Sequence, residues 1–574
     1  MTVEITYAPD VAPPPRRFVP DGFDAANLRS LEALARSLIE RRLGNGAAFE
    51  AWLLDWSDLA RSFWAVRSRR RIAMTRDTED ARARDAFLAF ERDLVPVWRR
   101  LEERFRRRYL ESPFRRGVGA RYEMLDRHLE TAQAIFREEN VALLAEEEEV
   151  SARYAQLTGR RTVAFRGAAL REQECAALLE EKDRATRRDA YEALAAARAA
   201  DADETETIFD ELLGIRHRIA ENARCADYRE FRFKDLRRFD YGPADCTAFH
   251  EAVERHVVPA LAERMERRRR ALGIDTLRPY DRMADPGGGA ARRAFADEAG
   301  LVELVRSLFR AVDSDFDDDF DILVRNGLLD LMARPGKAPG GYNSEVHDLR
   351  LPFIFANSVG RHADVKTLLH EGGHAFHTLA TRDEPVPELS HAPMEFCEVA
   401  SMTMELFGLE KFDEAMPEDE ARAAAIQLLE QRLWLFPWVA TIDAFQHWLY
   451  THPGHTRAAR RQEWERVRRR FDPFTDWSGL EEARAIDWHA QLHVFRYPFY
   501  YIEYGIAALG SLQLWQRFRR DPGSAIADYR AALALGGSRP LPELFATSGA
   551  RFAMDGGAVQ EAALGIVARL AQLE

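Results

Sequence analysis

From about Asp24 to residue 312 the sequence keeps returning to one pattern, apolar residues three and four apart with polar residues between them. Leu28, Leu31, Leu34 and Leu38 are its first instance and lie on one face of a 3.6-residue helix. The same reading gives helices over about 47–75, rich in Trp52, Trp56 and Trp64, and over about 78–109, 117–158, 169–198, 201–222, 243–272 and 293–312. No stretch repeats at the period of a helical solenoid, so these helices must pack around a shared core. With 574 residues and 46% hydrophobic composition, the chain can bury a large one. The expected fold class is mostly α.

Residues 1–22 carry Pro9, Pro13, Pro14, Pro15 and Pro20 and read as an extended lead-in. Glu146–Glu149 is expected to be a solvated helix face, and Gly287-Gly288-Gly289 a loop. Asp313, Asp315 and Asp317 fall at the offsets that open an EF-hand loop. The sixth position, which needs Gly, is Asp318, and the twelfth, which needs a bidentate Glu, is Val324. The stretch reads as a solvated turn. Helical character lapses between about 328 and 360. Pro335–Tyr342 is turn-rich, and Leu351–Val359 is apolar and bounded by breakers, as a strand should be. It is expected to be the main sheet element, either a plain core strand or one that binds an extended peptide through its main chain.

Charge and cysteine content narrow the classes. The formal charge is −13, from 82 Lys+Arg against 95 Asp+Glu, which opposes general nucleic-acid binding. Cys175, Cys225, Cys246 and Cys397 form no CxxC pair and no disulfide framework, so free thiols in a reducing compartment are expected. The N-terminus shows no secretory pattern, and no apolar run approaches the ~18–20 residues that span a bilayer. The expected location is cytoplasmic, without membrane or nucleic-acid partners.

The stretch from Asp364 to Leu379 contains His370-Glu371-Gly372-Gly373-His374, an HExxH pentapeptide. On a helix, His370 and His374 lie one above the other and can bind one tetrahedral Zn²⁺. Glu371 then stands where it can act as a general base on a nearby water. Helix surface or core histidine is the alternative for so short a pattern. A catalytic zinc usually has three protein ligands. Position 380 is Ala, so the HExxHxxGxxH arrangement of metzincins fails. A downstream helix, Pro393–Leu406, offers Glu398 and Glu405, two turns apart on one face, with Glu395 nearby. One could ligate zinc while the other orients a histidine. Their apolar frame of Phe396, Val399, Met402 and Leu406 implies burial, and buried carboxylates need partners.

HEGGHAFH followed by EFCEVASMTME resembles the thimet oligopeptidase and oligoendopeptidase F family of zinc metallopeptidases. His493–Gly505 adds a further match, a histidine followed by Tyr497, Tyr500, Tyr501 and Tyr504. The stepping of Tyr497, Tyr501 and Tyr504 reads as one helical face. The resemblance implies one Zn²⁺ per chain on His370, His374 and Glu398, with Glu371 as general base and Glu405 behind the ligands. It gives His493, Tyr501 and Tyr504 hydrogen bonds to the oxyanion. His377 is left as a core or supporting residue, and Tyr497 joins the tyrosine face. Gly340, Gly341, Tyr342 and the strand 353–358 are expected to hold the substrate backbone.

The implied fold is an elongated, two-lobed helical body with a deep central channel and a small β-sheet near the HExxH helix. The division expected is a lead-in 1–22, a helical lobe 23–200 and a catalytic region 201–574, with its motifs in 335–510. The implied activity is cleavage inside short unstructured peptides. A zinc carboxypeptidase or dipeptidyl carboxypeptidase, and a peptide-binding protein without catalysis, are the alternatives. Gly372 departs from the family pattern, and room beside the metal is the expected reason.

Overall fold

A computed structural model describes residues 14–284 and 293–574, so the 287–289 loop and the first thirteen residues of the lead-in lie outside the described residues. The helical reading holds for most of the chain. Leu28–Glu40 begins where the Asn27 side chain accepts the Ser30 N–H, and it buries Leu31, Ala35 and Leu38. Gly46–Arg76 buries Phe49, Trp52 and Trp56, which meet Phe105 and Tyr109 of the helix Val95–Glu111 in an aromatic core.

Several expected elements are divided. The 78–109 helix is two, Ala81–Asp93 and Val95–Glu111, because Pro96 has no N–H to continue the first. The 117–158 helix breaks between Ile135 and Glu138. The 169–198 stretch opens in a hairpin, Thr162–Phe165 with Ala168–Arg171, whose turn puts Arg166 and Gly167 at φ 48° and 84°. Helix resumes at Glu172–Ala177 and Arg184–Ala200. The aspartate run is not a turn: Asp313 caps the helix Ser314–Arg325, and Asp317 pairs with Arg306 and Arg310.

The expected strand is Leu351–Ser358, in a three-stranded sheet of order Leu329–Met332, Leu351–Ser358, Tyr342–Val346. It runs parallel to the first and antiparallel to the last, and seven of its eight residues are buried. It pairs with the edge strand over Leu351–Phe355 and with the first strand at Ile354, Phe355 and Ser358. Within the stretch 353–358 expected to hold a peptide backbone, Ile354 and Phe355 are paired on both sides and have no free main chain to offer. Tyr342–Val346 is the edge.

The described chain forms two compact units, and each draws on segments from both sides of residue 200. The first comprises residues up to 134, 293–425 and 510–552, and holds the three-stranded sheet and the HExxH helix. The second comprises 135–292, 426–509 and 553–574, and holds the hairpin and the His493–Tyr504 stretch. Among the described residues, no helix is long and apolar enough to cross a membrane.

Candidate metal centre

The HExxH helix spans His362–Ala380. Its start is fixed by Asp364, whose Oδ2 accepts the backbone N–H groups of Val359, Gly360 and Arg361 at 2.9, 2.9 and 2.8 Å. It packs along the helix Met394–Leu409, all of whose residues but Met394 are buried. A Cβ on Gly373 would lie 2.5 Å from Ser401 Cα and 2.6 Å from Ala400 O, so only glycine lets the two backbones approach this closely. Gly372 has a different reason. A Cβ there would sit 2.5 Å from Phe309 Cζ, and Phe309 packs edge-on against Phe376 of the same helix. The space at Gly372 is taken by an aromatic ring, which corrects the expectation of room beside the metal.

This close packing sets three ligand atoms together. His370, His374 and Glu398 each present one donor atom, and the three lie within 4.8 Å of one another. Glu398 Oε2 is 3.4 Å from His370 Nε2 and 3.8 Å from His374 Nε2. Ser401 Oγ donates to the same oxygen at 3.1 Å. Behind the cluster, His370 Nδ1 is 2.7 Å from Glu405 Oε1. A carboxylate accepts from Nδ1–H, which leaves the Nε2 lone pair free for a metal. The donor set of two imidazoles and one carboxylate fits zinc.

The titration of these groups follows from their packing. Burial disfavours the His370 cation, but the hydrogen bond and charge of Glu405, with Glu398 and Glu371, outweigh it and raise His370 to about 9. Burial dominates at His374, which falls to about 4. Glu371 is pushed up to about 7, first by burial and then by the Glu398 and Glu405 charges, against the pull of His370. Its Oε2 is buried with no hydrogen-bond partner among the described residues. An acceptor so placed suits proton transfer to and from a water or a substrate nitrogen.

The remaining expected residues divide into three groups. Gly340, at φ 94°, turns the chain into the edge strand, and a Cβ on Gly341 would come within 4.0 Å of Glu371 Oε1. Tyr342 is committed to packing: its hydroxyl is 2.7 Å from Thr75 Oγ1, its ring stacks on Phe355, and Arg71 covers it. His377 is buried beside Cys397, with Nδ1 3.7 Å from Sγ, and burial lowers it to about 3, so it is a neutral core residue. Asn343, which sequence reading passed over, donates from Nδ2 to the Glu371 carbonyl at 3.3 Å. Its place on the edge strand becomes visible only once the register is known.

His493, Tyr497, Tyr501 and Tyr504 belong to the second unit. The expected single helical face is interrupted: Leu492–Arg496 ends at Tyr497, Phe499 takes φ 65°, and a new helix starts at Tyr501. Pro498 forces the break, since it cannot extend the helix and disfavours helical backbone before it. The fold-back surrounds His493 with four rings, Tyr497, Tyr500, Tyr501 and Tyr504, at centroid distances of 6.0, 5.6, 4.8 and 5.9 Å. Tyr500 is thus a member of the cluster that helical stepping left out.

Two further residues orient it. Trp438 Nε1 donates to Gln491 Oε1 and to Tyr501 Oη, each at 3.1 Å. An indole N–H can only donate, so the Gln491 amide nitrogen must face His493, 2.8 Å from Nδ1. His493 then accepts at Nδ1 and carries its proton at Nε2.

The model of Peptidase family M3 matches residues 177–564, more than half of the chain. A solved structure of PZ peptidase A with an inhibitor superposes with a TM-score of 0.90 at 26% identity, covering 96% of this chain and 98% of that one. An X-ray structure assigned to oligoendopeptidase F gives 0.89 at 28% identity, covering 97% and 98%. An oligoendopeptidase F homolog of Lactococcus lactis subsp. lactis is 26% identical over 176 residues, 31% of this chain and only 28% of that protein's length.

Proposed function

Since the chain belongs to peptidase family M3, we propose that it is a zinc-dependent endopeptidase acting on short, unstructured peptides. The observation that carries this reading is the trio His370, His374 and Glu398, with donor atoms within 4.8 Å, beside a buried Glu371 oxygen that has no hydrogen-bond partner among the described residues. When bound, zinc supplies a Lewis acid for the scissile carbonyl and lowers the pKa of the attacking water. Glu371 removes the proton from that water and delivers it to the leaving amine. Glu405 holds the His370 ring in the tautomer that ligates. The edge strand Tyr342–Val346, entered through Gly340 and Gly341, offers main-chain groups to an extended peptide.

His493, Tyr501 and Tyr504 are assigned the hydrogen bonds to the oxyanion. This part of the proposal rests on the resemblance and on the donor tautomer of His493. The four cysteines are free thiols, which fits a cytoplasmic location.

The test is Glu371→Gln. It should retain zinc by elemental analysis and lose hydrolysis of a quenched fluorescent peptide by about 10²–10⁴-fold, the usual contribution of a general base. Near-normal turnover would overturn the mechanism. Cleavage of a peptide blocked at both ends, read by mass spectrometry, separates an endopeptidase from a carboxypeptidase.

A further inference from the structure

The second unit contains another group of ligand-type side chains, and the reaction proposed above uses none of them. Cys246 and His250 lie one turn apart on the helix Pro243–Ala252, and Asp443 and His447 one turn apart on the helix Glu418–Thr451. Donor atoms of Cys246, Asp443 and His447 lie within 4.8 Å of one another, the same closeness found at the HExxH site. Cys246, Asp443 and His250 are buried.

Ordinary hydrogen bonding does not account for the group. His250 Nε2 reaches Asp443 Oδ2 at 2.8 Å, but Asp443 Oδ1 is buried with no partner among the described residues. His447, half-buried, places its Nε2 3.2 Å from Asp443 Oδ2, so that the carboxylate lies between two imidazoles. A buried carboxylate oxygen left without a partner is costly unless something binds it.

We propose that Cys246, Asp443 and His447 form a second, structural metal site that takes a zinc-class divalent cation. His250 would support it from behind by donating to the ligating carboxylate. Thiolate, carboxylate and imidazole are zinc ligands, and thiolate selects against magnesium and calcium. The charges balance: one thiolate and one carboxylate neutralise a divalent cation, as a buried site requires.

Uptake moves two protons. Cys246 releases its thiol proton. Arg229 Nη1 lies 3.3 Å from His447 Nδ1, and an arginine only donates, so without metal the imidazole proton sits on Nε2. It must shift to Nδ1 as Nε2 becomes a ligand, and Arg229 then turns to Asp227, already 3.5 Å away. The site would pin the two helices together and fix His447 against Phe499, whose ring lies 5.3 Å from it within the His493–Tyr504 stretch.

Cobalt substitution of the full-length chain tests this independently of hydrolysis. The HExxH trio contains no sulfur, so a thiolate-to-cobalt charge-transfer band in the near ultraviolet can report only a cysteine-containing site. The proposal expects that band in the unmutated protein and two metals per chain. His370→Ala/His374→Ala should keep the band and one metal, and Cys246→Ser should abolish the band while keeping the other metal. Because Cys246→Ser could fail to fold, alkylation of Cys246 in the unmutated protein is read as well, and a chelator should raise its rate at least tenfold. A spectrum without the band, or a band that survives Cys246→Ser, overturns the proposal. So does a Cys246 alkylation rate that is indifferent to chelator.

Discussion

Two adjacent glycines in the HExxH motif answer to different neighbours, and their substitutions should behave differently. Gly373 faces backbone, with Ala400 O and Ser401 Cα both closer than any Cβ tolerates. Gly373→Ala must therefore push the two ligand-bearing helices apart. The expected cost is about 1–3 kcal/mol, together with loss of zinc by elemental analysis. Gly372→Ala meets a side chain, Phe309, that can be shortened. It should also lower the melting temperature, but Phe309→Leu in the same chain should restore most of the loss and leave zinc content unchanged. A Gly373→Ala protein that binds zinc normally would contradict this account of the packing. Glu371 adds a pH dependence at the same scale. In the proposed reaction its carboxylate is the active form, and its pKa is raised to about 7, chiefly by burial, so turnover should fall as the pH drops through the acid limb. A bound cation favours the carboxylate, which places the limb of the zinc enzyme below 7. A kcat/KM profile with its acid limb above 7 would remove Glu371 as the base.

The loop between the first sheet strand and the edge strand is held by a buried ion cluster rather than by apolar packing. Lys337 Nζ donates to Asp330 Oδ1 at 2.8 Å and to the carbonyls of Asp330, Met332 and Ala356, over the face of Phe355. Arg334 and Arg76 also reach Asp330. Lys337→Met should destabilise the protein by about 3 kcal/mol, the low end for breaking a buried pair, because the two arginines still serve the carboxylate. Burial alone would raise Asp330, but hydrogen bonds from Arg334 and Lys337 outweigh it and hold it at about 2, below the ordinary ~3.9. The folded chain thus binds this proton less tightly than the unfolded chain. Its contribution is complete above about pH 4 and is lost as the pH falls towards 2. Denaturant midpoints of Asp330→Asn and the unmutated chain should therefore converge over that window. None of this was legible in the sequence, where residues 335–342 read only as a turn. The helices, the strand Leu351–Ser358, the grouping of His370, His374 and Glu398, and the place of Glu405 beside His370 were legible, because each is set by spacing within a short stretch. The hairpin at 162–171 and the break at Pro498 were not read. One depends on a two-residue turn, Arg166-Gly167, between strands of only four residues each. The other was hidden by tyrosines whose spacing imitates a helix. Asn343, Gln491 and Trp438 gain their roles only from contacts across the fold.

At the scale of the whole chain, the division into units escapes sequence reading for a similar reason, since each unit gathers three separated stretches. The net charge does not depend on that division. A formal −13 surrounds the chain with a negative potential, and charged substrates feel it before any contact forms. Peptides carrying lysine or arginine away from the scissile bond should therefore be captured faster than isosteric peptides carrying aspartate or glutamate. The effect belongs to encounter, so it should appear in kcat/KM and not in kcat. Screening separates this steering from a specific pocket. The Debye length falls from about 30 Å at 0.01 M to about 3 Å at 1 M ionic strength. A several-fold preference for the cationic peptide at the low end should shrink towards unity at the high end, with melting temperature followed in parallel to exclude salt effects on folding. If the preference survives high salt unchanged, it comes from direct contact with acidic side chains, and the long-range field is not what selects the peptide.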